Sequence, residues 1–242
     1  MHAELCKSAS SRKPYPLQGV PPVALVESNG THRHRRVTPS LLPWQLERRA
    51  QRARARLQRA ALSAGQRRRA SERMTLILAA SPLLRGRRRI ALYIAIGAEP
   101  DTQALLTIAR RRGLKICLPR IRNYPRHTMD FVADSGMRRR VNRHGIPEPP
   151  PGVRIPIESL DVIVLPTLAF NRSGMRLGTG GGYYDRILER LPHLPVHRRP
   201  RLVGMAYACS EMPALVAAPH DIRLDQIVTD AELIDCHPLE SP

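Results

Sequence analysis

The segment from Leu165 to Leu188, LPTLAFNRSGMRLGTGGGYYDRIL, places five glycines (Gly174, Gly178, Gly180, Gly181 and Gly182) around Arg176. Glycines permit positive φ and let a ligand come close to the backbone, so such a turn exposes amide N–H groups. A helix opening directly after it would add partial positive charge at its N-terminus. Anions bind in such surroundings, and the Arg176 guanidinium suits bidentate contact with phosphate oxygens. Arg176, Leu177, Gly178, Thr179, Gly180, Gly181 and Gly182 therefore read as a polyphosphate cradle. It is not a Walker A loop, because no Gly-Lys-Ser/Thr follows. It also misses the dinucleotide pattern, because Tyr183 stands where G-x-G-x-x-G has its last glycine. The glycines alone would serve a tight turn as well.

Other residues carry charge or rings toward the same chemistry. Arg48 and Arg52 lie four apart and can reach one phosphate from one helix face, or form a solvated basic face. Glu99 follows an apolar run, at the carboxyl edge where open α/β sheets bind ligands; the alternative is a surface loop. Tyr183 and Tyr184 can stack on a planar ligand or anchor the following helix in the core. Asp185 falls in that helix's first turn, where a carboxylate is favourable even without a ligand.

These residues need a scaffold. IALYIAI (90–96), KICLP (115–119), DVIVLP (161–166), RLVGMAY (201–207) and QIV (226–228) are short apolar runs bounded by turn residues, the pattern of buried strands. Between the first two lies DTQALLTIARRRG, a helix of about ten residues capped by Asp101 or Thr102 and stopped at Gly113. A second crossover joins 161–166 through a helix near 182–191 to 201–207. The expected fold is α/β: a mainly parallel sheet covered by helices on both faces, Rossmann-like and three-layered. Leu46, Ala50, Ala53, Leu57 and Ala61 mark one face of an amphipathic N-terminal helix with arginines on its other faces. A second helix is expected from about Gln66 to Ala80. IPEPPPG (146–152) reads as an extended surface connector between the two halves.

The string Arg176-Leu-Gly-Thr-Gly-Gly-Gly-Tyr-Tyr-Asp185 closely resembles the signature of the 5-formyltetrahydrofolate cyclo-ligases. The resemblance extends to Pro166 and Phe170, LPRIR at 118–122, Met129-Asp130, Gly145-Ile-Pro-Glu-Pro149 and HDIRLDQIVTD at 220–230, covering about residues 46 to 234. It implies ATP- and Mg²⁺-dependent conversion of 5-formyltetrahydrofolate to 5,10-methenyltetrahydrofolate, with ADP and phosphate released. It further implies ATP contacts at Arg48, Arg52 and Arg176 through Tyr184, and folate contacts at Ile94, Glu99 and Thr179 through Tyr183. Asp185 and Asp221 are implied as magnesium ligands, and Arg176, Tyr184 and Asp185 as catalytic. Two positions depart from the family's habit: arginine stands at 48 where lysine is common, and glycine at 181 where many members have lysine.

Composition narrows the alternatives. The chain of 242 residues carries a formal charge of +20. Residues 1–90 hold 20 Lys and Arg against four Asp and Glu, whereas residues 91–242 hold 20 against 16. The excess is concentrated at the front, which favours a basic tail with weak, salt-sensitive nucleic-acid adhesion over a dedicated RNA or DNA site. A basic nucleic-acid-binding protein and a non-catalytic folate binder stand as the rival readings. No apolar run approaches a membrane span. Cys6, Cys117, Cys209 and Cys236 show no metal or disulfide spacing, which fits reduced cytoplasmic thiols. The expected organisation is a disordered basic tail (1–43), one catalytic domain (44–236) acting as a monomer, and a short C-terminal tail (237–242).

Overall fold

The computed structural model describes residues 42–236, Arg87, Arg138 and His220 excepted. The expected tails lie outside these residues, save that Pro43 already opens the first helix. Helix α1 (Pro43–Ala61) begins on a proline, whose fixed φ suits a first helical position, and Gln45 Oε1 accepts the Leu42 N–H at 2.9 Å. Helix α2 (Ala64–Ala80) starts with a reciprocal cap: Ser63 Oγ accepts from the Gln66 N–H, and Gln66 Oε1 accepts from the Ser63 N–H.

The amphipathic stripe on α1 points the opposite way from a core-facing stripe. Leu46 is 52% exposed and Leu57 73%, and Ala50, Ala53 and Ala61 are also exposed, whereas Arg48, Ala55 and Arg59 are buried. The arginines turn inward because each finds oxygen acceptors there, described below. Helix α2 behaves conventionally and buries Ala70, Met74 and Leu78.

Strand β1 (Arg89–Ala91) pairs in parallel with β2 (Lys115–Asn123), and helix α3 (Gln103–Arg111) lies between them in sequence. β1 is shorter than the expected 90–96 run, because after Leu92, whose N–H still reaches Cys117 O, the chain turns away toward the site. β2 is longer than expected. It continues into an antiparallel hairpin with β3 (Thr128–Ala133), a strand the apolar pattern did not announce. The proline-rich connector is partly structured: β4 (Arg140–Val141) pairs with β5 (Pro147–Glu148), and Glu148 is buried. β6 (Arg154–Ile155) closes that edge against β3.

In the other half, β7 (Val162–Pro166) leads into a small hairpin of β8 (Ala169–Phe170) and β9 (Arg176–Leu177). Helix α4 (Tyr183–Leu188) follows. It has six residues, shorter than the expected 182–191, and a separate 3-10 turn occupies Leu191–His193. β10 (Arg201–Met205), β11 (Gln226–Val228) and β12 (Leu233–Asp235) complete the sheet, whose order is β12-β11-β10-β7-β1-β2-β3-β6. The five strands from β11 to β2 run parallel, and antiparallel pairs flank them.

Alternation along the strands sorts two cores. Ile90, Ile116, Leu118, Val162, Val164, Val203, Met205 and Val228 pack with α2 and α3. Ala91, Cys117, Ile163, Leu165, Leu202 and Ile227 pack with Leu188 of α4 and Leu191. Both faces are covered, which is why these strands read as continuous apolar runs. Among the described residues no helix is long and apolar enough to cross a membrane.

Candidate active site

The glycine turn emerges from β9 at the carboxyl end of β7. Gly180 (φ +102°) and Gly182 (φ +69°) take left-handed backbone that side chains disfavour, so the turn needs glycine at those two positions. Among the described residues, the amides of Thr179, Gly180, Gly181 and Gly182 donate to no other protein group. With α4 only six residues long, these free amides rather than a helix dipole make the cradle.

Guanidiniums surround the turn. Arg176 is buried, donates Nη2 to Asp185 Oδ1 at 2.5 Å, and leaves its buried Nε without a partner. From α1, Arg52 Nε donates to Gly178 O at 3.1 Å and Arg56 Nη2 to Thr179 O at 3.0 Å. Arg48, 6% exposed, donates to Val216 O at 2.8 Å and grips Asp221 through both terminal nitrogens, at 2.5 and 3.2 Å. Arg59 donates to Thr167 O at 2.7 Å, its Nε also unpartnered. Burial lowers the Arg52 pKa, helped by the charges of Arg48 and Arg56, while Asp185 and Asp221 act in the opposite sense. The arginines and carboxylates thus share one local field. Crowded like charges favour the arrival of an anion.

Arg56 and Arg59 were not singled out from the sequence. The four-residue step from Arg48 to Arg52 continues to Arg56, and that signal was readable. Arg59 lies eleven residues after Arg48, on the same side of the helix, masked by the many arginines around it.

The loop after β1 brings up Glu99 and Ile94. Thr102 Oγ1 donates to Tyr93 O at 2.6 Å and Tyr93 Oη to Pro100 O at 2.8 Å, which folds residues 93–102 back on themselves. Glu99 Oε2 accepts the Ile96 N–H at 3.0 Å. Burial raises its pKa above the ordinary 4.5, opposed by the Ile96 hydrogen bond and the Arg59 charge. Ile94 is half-buried against the α2-side core.

The two tyrosines divide their work. Tyr184 packs against both cores, and its hydroxyl is buried without a partner, so burial drives its phenol far above the usual range. Glu99 and Arg176 are the charges that act on it. Tyr183 is half-buried beside two histidines: His144 Nε2 lies 3.3 Å from its hydroxyl and the His127 ring 5.3 Å from its ring. His144 also lies 5.1 Å from Tyr124. This aromatic group is dispersed in sequence and was missed there.

Asp185 and Asp221 supply hard oxygen donors of the type magnesium takes, one or two carboxylates together with phosphate oxygens and water. Asp185 has a half-exposed side chain, and Arg176 holds one of its oxygens. Asp221 is engaged by Arg48 and by the Ala218 N–H at 2.8 Å. Among the described residues no three His, Cys, Asp or Glu gather to hold a metal by themselves. Asp185 keeps one oxygen open to a cation that arrives with a phosphate-bearing ligand, whereas both Asp221 oxygens already accept from protein donors.

A family model described as the 5-formyltetrahydrofolate cyclo-ligase family matches residues 45–230. A 5-formyltetrahydrofolate cyclo-ligase of Escherichia coli K12 is 33% identical over 147 residues, 60% of this chain and 79% of that protein. The mouse protein of the same name is 30% identical over 178 residues, 69% of this chain and 86% of its own length. The solution structure of Aquifex aeolicus 5,10-methenyltetrahydrofolate synthetase superposes with a TM-score of 0.69 at 29% identity, covering 81% of this chain and 95% of that one.

Proposed function

The chain belongs to the 5-formyltetrahydrofolate cyclo-ligase family of enzymes, and from that premise we propose that it converts 5-formyltetrahydrofolate and ATP to 5,10-methenyltetrahydrofolate, ADP and phosphate. The observation that carries this reading is the Arg176–Asp185 turn, whose uncommitted amides are ringed by Arg52, Arg56 and Arg176. The formyl oxygen of the substrate is a poor leaving group. Transfer of the γ-phosphoryl group to it forms an imidate phosphate; N10 attacks the same carbon, the C–O bond breaks, and phosphate departs with the oxygen.

The chain's contribution is positioning and charge neutralisation. Arg176 and the amides of Leu177 through Gly182 hold the nucleotide phosphates, and the unpartnered Nε of Arg176 is free to take another oxygen. Arg48 and Arg52 meet the γ-phosphoryl from α1. Glu99 accepts the paired N–H groups of the pterin's aminopyrimidine edge, with Ile94 as apolar wall. Tyr183 lies against the bound rings, while Tyr184 fixes the turn to the core. Asp185 and Asp221 would hold magnesium, which supplies charge for the transferring phosphoryl. The same reading has the protein working as a cytoplasmic monomer, with neither membrane nor a specific nucleic acid as partner.

The test is the near-ultraviolet absorbance of the methenyl product when purified protein receives 5-formyltetrahydrofolate, ATP and Mg²⁺. Product is expected only when nucleotide and divalent cation are both present. Turnover without nucleotide would sink the proposal, and ATP-independent folate binding with no product would favour a non-catalytic folate binder.

A further inference from the structure

The glycine turn stands at the carboxyl end of β7; the opposite, amino edge of the parallel sheet, where β1, β2 and β7 begin, lies a strand length away. There the last turn of α2, the 3-10 turn Pro82–Leu84 and the end of α3 border an open cavity of about 620 Å³. Ala79, Ala80, Leu84, Arg85, Gly86 and Arg112 line it. Three of these six are alanine or glycine, so the space is left by side chains that are short. Leu84 is buried and gives the cavity, with the two alanines, an apolar floor. The volume falls in the range of small-molecule sites, about 300–1,000 Å³.

The rim is cationic. Arg112 Nη1 donates to Ala79 O at 2.6 Å and Arg85 Nη2 to Ala80 O at 3.4 Å, so both guanidiniums cover carbonyls at the C-terminus of α2. That engages one nitrogen of each. Among the described residues neither arginine pairs with a carboxylate, and the N–H of Gly86, whose φ is +76°, donates to no protein group. Arg88 Nε donates to Arg85 O at 3.1 Å, which brings a third guanidinium alongside. The acids of this edge are engaged elsewhere: Asp161 accepts the Arg89 N–H at 2.7 Å, and Asp134 pairs with Arg110 and, at 3.5 Å, with Arg139. Capping α2 accounts for one nitrogen on each arginine. It does not account for a cavity between them with positive charge to spare.

We infer that this cavity is a second anion site, separate from the glycine turn, which binds the phosphate group of a small phosphomonoester through Arg85, Arg112 and the Gly86 N–H and covers the ligand's apolar body with Ala79, Ala80 and Leu84. Guanidinium forks match phosphate oxygens. A concave site with an apolar floor suits a small molecule, whereas a nucleic-acid backbone is met by a stripe of charge along a surface. The site draws on no residue of the proposed folate reaction and stands or falls apart from it.

Phenyl phosphate, which carries a phosphate and an apolar ring, is the probe. It is titrated into the full chain in the presence of magnesium and a non-hydrolysable ATP analogue that occupies the glycine turn. Heteronuclear NMR then reads the Gly86 amide, the Arg85 and Arg112 Nε–H groups, and the amides of Gly180 to Gly182. Saturable shifts are expected at Gly86 and the two arginines and not at the glycine turn, with phenyl phosphate bound about fivefold or more tightly than inorganic phosphate because its ring leaves water. Arg85→Gln/Arg112→Gln should weaken binding about tenfold or more. Ala80→Glu leaves both arginines in place and sets a carboxylate on the floor; it should weaken binding as much, and it decides the matter if circular dichroism shows the double variant unfolded. Shifts confined to the glycine turn, equal affinity for the two phosphates, or parent affinity in Ala80→Glu would each overturn the inference. Tighter binding of a short oligouridylate than of phenyl phosphate at the same resonances would make the patch a nucleic-acid surface and overturn it too.

Discussion

Helices α1 and α2 follow each other in sequence, and they attach to the domain by opposite means. α2 buries Ala70, Met74 and Leu78 against the sheet. α1 buries Arg48 and Arg59 beside Ala55 and leaves Leu46 and Leu57 in solvent. Burying a methionine or leucine is worth about 1.5–3 kcal/mol without regard to direction. A hydrogen bond from a charged group is worth about as much, but only in one geometry. α1 is therefore oriented by acceptors at Gly178, Thr179, Thr167, Val216 and Asp221 rather than by oil. On the proposed reading, Arg48 and Arg52, which help to hold the helix, also meet the phosphates, so attachment and function are coupled on α1 and separate on α2.

The sharpest break in that comparison is Arg176→Ala, which removes the guanidinium paired with Asp185 from the same cluster. Its kcat/KM should fall about 10²-fold or more, unrestored by added magnesium, with an unchanged circular dichroism spectrum. Rescue by the metal would assign Arg176 a different role. Asp221→Asn comes next. Breaking the buried pair with Arg48 should cost about 3–5 kcal/mol. If Asp221 also serves magnesium, initial rates against metal concentration should shift to a higher requirement and recover in part at excess. An unchanged magnesium curve with lowered stability would leave it as the anchor of Arg48 alone.

Met74→Ala tests the opposite helix and should cost about 2–5 kcal/mol in urea unfolding, while kcat/KM of the folded protein stays within a few-fold. A kinetic loss as large as that of Arg176→Ala, with no loss of stability, would refute the division between the helices. A smaller effect is expected at Glu99, opposite Arg59. Because burial raises its folded pKa, protonation favours the fold below about pH 4.5, and that contribution is lost as pH rises through the raised value. Glu99→Gln should flatten this fall in stability and raise the KM for folate far more than that for ATP. Equal changes in both constants would reject the pterin assignment. Leu57→Gln, on the exposed stripe of α1, should shift stability by no more than about 0.5 kcal/mol. A drop of several degrees in Tm would mean that something packs there.

Much of the scaffold was legible because its signals are local. The buried parallel strands show as short apolar runs, and the turn as the glycines before Tyr183. β3 and β5 were not: Thr128–Phe131 alternates polar with apolar over four residues only, and Pro147–Glu148 acquires strand geometry from its partner. The aromatic group around Tyr183 was hidden for a similar reason. Tyr124, His127 and His144 come from two separate loops, and each alone is an ordinary polar loop residue.

By itself the sequence determined the kind of chemistry: a run of glycines that only backbone turns can use, an arginine within it, and two cationic side chains one helical turn apart. Residue type and short-range spacing suffice for that, because a glycine's freedom and a guanidinium's charge belong to the residue. Tertiary structure alone decided which face of α1 looks inward. Amphipathic periodicity fixes the angle between a helix's two faces but not which one meets the protein. Here the acceptors on Thr167, Gly178, Thr179 and Asp221, 108 to 173 residues away in sequence, outweigh the burial of two leucines and point the arginines in.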